Sequence, residues 1–479
     1  MLRSLPIHIS IKVSWLSILS SAGLIIAAIS ILGFLLYIFG PLSFAIVIFV
    51  LIIFPWLIQD LFRIFLWLLI TWPILSLFLR FPLPAGIPDL SYDRVLLLTL
   101  LLLIGVKALH SKKSRIKFTT LEVLLIIYII TQLIMRIHVI VFGGLGNTDL
   151  NGFLDVILIP AIIFWMVKKF LISETHLKWL LVTIVIACLI ICLTGLYEQA
   201  VGIRVFKSNI NLGGTEVVYQ WIDSQGRLRA AGAMGNPAVY GAIMGMGILA
   251  GAGYLPQAKH KITKAGILAT MVVLLYGVFA SYTRSAWVSV FVVLFFAQFF
   301  FNGLWKKTLP IILLTFLVLV VMWNDLPGSS AIIDRALTTK TIDQRVEIFK
   351  IGLEYFREKP ILGWGSGSLN IFNMARAGIT SHNTYLTFLV DGGIILLLSF
   401  IAAMGYLLIR AAQLYRTIHN HHLERNILVA MTGSIVIYLL SGMALELRYF
   451  GYFNTLVWIC AGVIDLLITK YLIEGKSIS

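Results

Sequence analysis

The chain reads as an all-α, polytopic helical membrane protein, a bundle of about 12–14 transmembrane helices with one long structured outer loop. Three observations carry that class. Sixty per cent of the 479 residues are apolar and only 12% are charged. Apolar runs of about 18 residues or more recur along the whole length, enough to cross the hydrocarbon core of a bilayer. The runs are continuous rather than alternating, which excludes a transmembrane β-barrel. The length therefore describes a single integral membrane domain, 1–479, and not a string of soluble domains.

Taken in order, the spans fall at about 15–39, 41–58, 61–79, 94–109, 119–141, 152–167 and 177–197. They continue at about 237–255, 266–282, 285–301, 308–323, 384–409, 427–445 and 452–469. Met1 to Val13 and the run after it have the outline of a signal peptide, but the run is too long and no soluble domain follows. It is read as an uncleaved first span. Pro55 and Pro73 leave open a re-entrant pair among the early spans. Trp15, Trp72, Trp179 and Trp323 stand near span ends, where interfacial tryptophans anchor helices. Cys188, Cys192 and Cys460 lie within spans and without metal-ligand spacing, so they read as small buried residues.

The formal charge of +16 needs no nucleic acid to explain it. Short loops on one side carry Lys112, Lys113, Arg115 and Lys117, then Lys168, Lys169 and Lys178, then Lys259, Lys261 and Lys264. Lys306, Lys307, Arg410, Arg416, Arg425 and Lys470 continue the series. The positive-inside rule makes this side, and both termini, cytoplasmic. No internal repeat is visible, which counts against inverted-repeat transporters.

Two longer loops then lie outside, at about 198–236 and 324–383. In the second, Thr341 and Gln344 form a capping-box pattern, and Val346, Phe349, Leu353 and Phe356 recur at helical spacing until Pro360. Gly363, Trp364, Gly365 and Gly367 make a turn before the chain re-enters the bilayer.

That re-entry carries the chemistry. By this topology His382, in Ser381-His382-Asn383-Thr384-Tyr385-Leu386, is the one histidine in the exposed outer loops. A neutral imidazole takes a proton from a hydroxyl near ambient pH. Spacing alone leaves His382 open between a general base and a hydrogen-bonded helix cap. Arg227 and Arg229 precede the turn into the eighth span, Arg284 sits in the polar break Ser281 to Ser285, and Arg345 lies in the loop helix. Intramembrane charge is costly, so an anionic partner is the default, with snorkelling to lipid phosphates the plainer reading of each arginine singly. Together the guanidinium forks suit a diphosphate. No outer Asp-x-Asp pair or His/Asp/Glu cluster offers a divalent-cation site, and an arginine clamp replaces one. Asp391 and Glu446 read either as counter-ions for these arginines or as packing details.

Four strings resemble the O-antigen polymerase and ligase (Wzy/WaaL-type) superfamily: Arg229 to Pro237; Thr283-Arg284-Ser285; Arg345 through Pro360 to Gly367; and Ser381 to Leu386 with Asp391-Gly392-Gly393. They span about 195–410, the ligase/polymerase-like core. The resemblance implies a GT-C-type membrane glycosyltransferase, inverting and without metal or cofactor. Such an enzyme transfers glycan from a polyprenyl-diphosphate carrier to a glycan or lipid acceptor on the outer face of the cytoplasmic (inner) membrane. It implies work in O-antigen, exopolysaccharide or other cell-surface polysaccharide biosynthesis, with polysaccharide-assembly proteins as partners besides the lipid bilayer. It makes His382 catalytic and Arg229, Arg284 and Arg345 the diphosphate ligands. Arg227, Asn383, Tyr385 and Asp391 are accessory candidates. Some polymerases of this kind carry Arg followed after ten residues by Gly; Arg229 and Gly241 are one residue too far apart for that signature. The competing class is a transporter or flippase of lipid-linked oligosaccharide or another anion. A third, a scaffold in envelope assembly, makes no demand on His382 or Arg284.

Overall fold

The computed structural model describes residues 60–81, 89–109, 118–142, 150–171, 173–206, 228–301, 340–377, 382–418 and 421–474, with isolated residues at 211–212, 215–216, 222 and 226. Two units divide at Phe65. Met1–Phe65 is represented by residues 60–65, and Leu66–Ser479 carries all of the contacts that follow. The expected spans at 15–39, 41–58 and 308–323, with Trp15 and Trp323, lie outside the described residues.

The helices are α1 (Leu61–Phe78), α2 (Tyr92–Leu109), α3 (Thr120–Phe142), α4 (Leu150–Phe153), α5 (Ile159–Phe170), α6 (Glu174–Val201) and α7 (Pro237–Tyr254). Then come α8 (Lys261–Ala280), α9 (Arg284–Phe300), α10 (Lys340–Glu358), α11 (Ser368–Ala377), α12 (Thr384–Thr417), α13 (His422–Gly442) and α14 (Gly451–Ile468). The sheet content among the described residues is two antiparallel hairpins of two-residue strands. Eight helices among these residues are long and apolar enough to cross a membrane. The protein is a polytopic all-α membrane protein, as its continuous apolar runs require. Each expected span on described residues is helical, though α12 is kinked at Gly393. A π turn, Leu154–Leu158, joins α4 to α5.

Local chemistry sets the helix ends. Asn236 accepts hydrogen bonds from Ala238 N (2.8 Å) and Val239 N (3.3 Å), and Pro237 opens α7 at the position where its missing N–H costs nothing. Ser173 caps α6 in the same way, and Gly202 closes it in the left-handed region at φ 76°. Helix α7 is the axis of the bundle, packed against α6, α8, α9 and α13 and buried over nearly all its length. Its small residues permit this: a Cβ at Gly245 would stand 2.5 Å from Val290 Cγ2. Close backbone approach of this kind drives helix association where lipid removes most of the hydrophobic incentive. Helix α14 packs on α5 with Trp458 edge-on to Phe164, ring centroids 6.2 Å apart. Helix α12 packs on α3 through Tyr128, Phe388 and Phe400.

Three expectations change. Trp72 is 6% exposed and edge-on to Tyr452 rather than interfacial, because α1 is itself covered there; Trp179 does lie exposed. In α10 the packed face is Ile348, Ile351, Gly352 and Tyr355, whereas Val346 and Phe349 face outward. An amphipathic period has more than one apolar stripe here, and the neighbour α12 selects between them. Lys168, expected in a short basic loop, stands in the last turn of α5, between Glu122 (2.7 Å) and Asp465 (2.6 Å). The side chains of Thr341 and Gln344, the expected capping box, lie outside the described ones. The three cysteines are buried and free.

Candidate active site

The polar groups gather at one end of the bundle, where α6, α8 and α13 finish and α7, α9, α12 and α14 begin. The break between α8 and α9 comes first. Tyr282 has φ 44°, the left-handed region that a bulky residue adopts only when its surroundings enforce it. Ser281 Oγ donates to Val278 O (2.7 Å), Thr283 Oγ1 to Ser281 O (2.9 Å) and Trp287 Nε1 to Val278 O (2.9 Å). The strained turn is thus held from both sides.

Arg229 is part of this turn. Its Nε donates to Ser281 O (3.2 Å) and its Nη2 to Thr283 Oγ1 (2.5 Å), and Ala230 N donates to Ala280 O (3.0 Å). It is 8% exposed. Arg284, next to Thr283, is half-buried at the first turn of α9. The structure therefore brings Arg229 and Arg284, 55 residues apart in sequence, to one turn. Arg227 lies outside the described residues.

The segment that follows Arg229 is anchored at Gly232 by a buried carboxylate absent from the sequence-derived candidates. Glu198, fully buried near the end of α6, accepts from Val205 N (3.0 Å) and Phe206 N (2.8 Å) through Oε1 and from Gly232 N (2.8 Å) through Oε2. Arg204 Nε lies 3.7 Å from Oε1, and its Nη1 donates to Gly235 O (3.2 Å). Thr194 Oγ1 accepts from Ala233 N (3.1 Å). Gly232 is required, with φ 49° and a would-be Cβ 2.6 Å from Gly195 N. The signal was an acid one residue past the assigned end of an apolar run.

The second element is the start of α12. Asn383 caps the helix, accepting from Tyr385 N and Leu386 N at 3.0 Å each, and Tyr385 OH donates to Leu439 O (2.6 Å). These two accessory candidates have structural duties. His382, just before the cap, keeps an exposed surface, although protein crowds one side of the ring. That burial lowers its pKa below the ordinary imidazole value, and the Arg345 charge lowers it further. Arg345 is exposed on α10, which packs along α12.

The two elements meet around the C-terminal end of α13. Ser441 Oγ donates to Ser289 Oγ on α9 (3.4 Å), and a Cβ at the adjacent Gly442 would lie 3.6 Å from Thr384 Cβ. Helix α13 is thus wedged between the arginine turn and the histidine turn.

Asp391 has partners other than the arginines proposed from sequence. It is 1% exposed, accepts from Gly367 N (2.7 Å) and Leu369 N (2.9 Å), and pairs with Arg448 Nη1 at 2.5 Å. Glu446 also meets Arg448, through its Nε. Neither carboxylate faces Arg229 or Arg284 in an ion pair among the described residues; Arg448, overlooked in the sequence, takes both. Two residues on, α12 kinks at Gly393, φ 64°, where Ile394 N bonds Pro360 O (2.9 Å). Among the described residues no cluster of three His, Cys, Asp or Glu side chains is arranged to hold a metal ion.

The fold and these groups define a polytopic helical membrane protein with a strained, arginine-bearing turn and a capped histidine turn at one end of its bundle. Residues 269–401 match the family model described as O-antigen ligase, which supports the O-antigen ligase/polymerase superfamily for this chain. The match takes in Arg284, Arg345, His382 and Asp391 and leaves Arg229 and Glu198 outside it. No curated protein matches the chain.

Proposed function

We propose that the protein is a membrane glycosyltransferase that polymerises or ligates polyprenyl-diphosphate-linked oligosaccharide at the outer face of the cytoplasmic membrane. The observation that carries this reading is the convergence of Arg229 and Arg284 on one turn, inside a chain whose 269–401 segment has an O-antigen ligase match. Arg229, held by Ser281 O and Thr283 Oγ1, places its guanidinium on the turn that bears Arg284, and preorganised positive charge suits a diphosphate leaving group because it costs no reorganisation as negative charge develops.

In this mechanism the acceptor hydroxyl attacks the anomeric carbon from the face opposite the diphosphate. The new C–O bond forms as the bond to the phosphate oxygen breaks, and the lipid diphosphate leaves with the electron pair against the arginines. His382 takes the hydroxyl proton and releases it to water afterwards. No step needs a metal or cofactor. The lowered imidazole pKa supports the base role, since the ring is neutral and ready at ambient pH. The described basic connections between α5 and α6, α7 and α8, and α12 and α13 lie at the other ends of these helices and support an outward-facing site.

Reconstitution into liposomes with a polyprenyl-diphosphate oligosaccharide tests the reading. Longer glycan chains on a gel identify a polymerase, and transfer to a lipid acceptor identifies a ligase. Lipid movement without a new glycosidic bond would replace the proposal with a flippase. Arg284→Lys should lower transfer by about 10²-fold, since an ammonium cannot reproduce paired contacts to a diphosphate. Arg345→Gln has a different expected signature. Removing its charge raises the His382 pKa toward the ordinary value, so the acid limb of the kcat/KM profile moves to higher pH. An unmoved limb would mean that the limb does not report His382.

A further inference from the structure

We infer that Arg448 is a positioning residue, the centre of a buried clamp that sets the place of His382 through the first two turns of α12. This rests on the base role proposed for His382, but the clamp itself is physical and separately testable.

Arg448 lies in the short turn Leu447–Tyr449 between α13 and α14, with its side chain 12% exposed. One side of its guanidinium holds Asp391 and the other holds Glu446. Asp391 carries the Gly-rich turn and the start of α11 through Gly367 N and Leu369 N. The backbone repeats the connection: Trp364 N donates to Val390 O (2.9 Å) and Gly365 N to Asp391 O (2.8 Å). Glu446 Oε2 accepts from Asn370 Nδ2 (2.9 Å), which also donates to Tyr449 OH (2.7 Å).

The same turn also grips the start of α12. Thr384 Oγ1 donates to Leu445 O (2.7 Å) and accepts from Leu447 N (2.9 Å). Thr384 and Asp391 are seven residues apart, two turns on one helix face, so the 445–448 segment holds that face at both ends. His382 is two residues before the upper grip. A buried guanidinium between two carboxylates resists displacement, because moving any partner exposes an uncompensated charge to a low dielectric. Burial lifts the Glu446 carboxyl to about 7, with Arg448 opposing the rise and Asp391 adding to it. The charge that acts on the imidazole is Arg345, outside the clamp. The clamp therefore works on geometry and leaves the proton affinity of His382 alone.

Arg448→Lys and Thr384→Val test this, with Thr384→Ser as the rescue. Lysine keeps the buried charge but cannot bridge both carboxylates, and valine keeps the shape of Thr384 but removes both hydrogen bonds. Hydrogen exchange of the full-length protein in detergent should show the amides of the first two turns of α12 exchanging faster in Arg448→Lys and Thr384→Val, and at the wild-type rate in Thr384→Ser. In the transfer assay both variants should lose kcat by about 10²-fold, the cost of a misplaced catalytic group. Their donor KM and the acid limb should stay at wild-type values. Wild-type exchange in both variants overturns the clamp whatever the enzyme does. A raised donor KM with unchanged kcat also overturns it, by making Arg448 a substrate ligand. A wild-type protein with no transfer activity would instead remove the function proposed above, while the exchange rates still decide the clamp.

Discussion

His382→Ala is expected to abolish measurable glycosyl transfer, a loss of about 10²–10⁴-fold, while the melting temperature stays close to that of the wild type. The two halves of this expectation have separate causes. The imidazole is placed before the helix cap, and the cap itself is made by Asn383, so removing the ring leaves the hydrogen bonds that start α12 intact. His382 also keeps exposed surface, so its truncation opens no core cavity. Activity is therefore lost without loss of fold. Transfer assays on reconstituted protein, paired with thermal melts, check both halves. Normal product from the alanine variant would remove His382 from the mechanism; a collapsed melting temperature would make it structural.

Glu198→Ala has the opposite profile. It should destabilise the protein by about 3–5 kcal/mol, because Arg204 loses its buried partner. The N–H groups of Val205, Phe206 and Gly232 lose their shared acceptor at the same time. Freed of that anchor, the segment from Gly232 back to Arg229 no longer presses on the Ser281–Thr283 turn, and transfer falls together with stability. Glu198→Gln should be milder, since one amide oxygen still accepts. Thermal melts with the transfer assay read this out. A Glu198→Ala protein that melts and works like the wild type would show that the Arg229 segment is held by something else.

The contrast separates two kinds of residue at this end of the bundle. His382 keeps exposed surface and Arg284 is half-buried, whereas Glu198, Asp391 and Thr384 are buried, and with Arg448 they are held by partners within the chain. A loss of activity in the second group reports geometry, and it must be read beside a stability measurement before any catalytic role is assigned.

Hydropathy alone determined the all-α polytopic class, the position of each span on described residues and the polar breaks where Arg229, Arg284 and His382 stand. These are local properties: a run of apolar residues must form a helix in lipid whatever surrounds it, because its backbone has no other hydrogen-bonding partner. The caps by Asn236 and Asn383 are equally local, acting within three residues of themselves, yet Asn383 read from sequence as an accessory site residue and its capping role came from the structure. Tertiary structure decided the rest. Only packing shows that Asp391 turns to Arg448, 57 residues away, rather than to a substrate-facing arginine. Only packing buries Ile348 and Ile351 and leaves Val346 and Phe349 outside. A charge in a low-dielectric bundle takes whichever opposite charge the neighbouring helix brings within about 3 Å, and that neighbour is chosen by the close approach of helices distant in sequence.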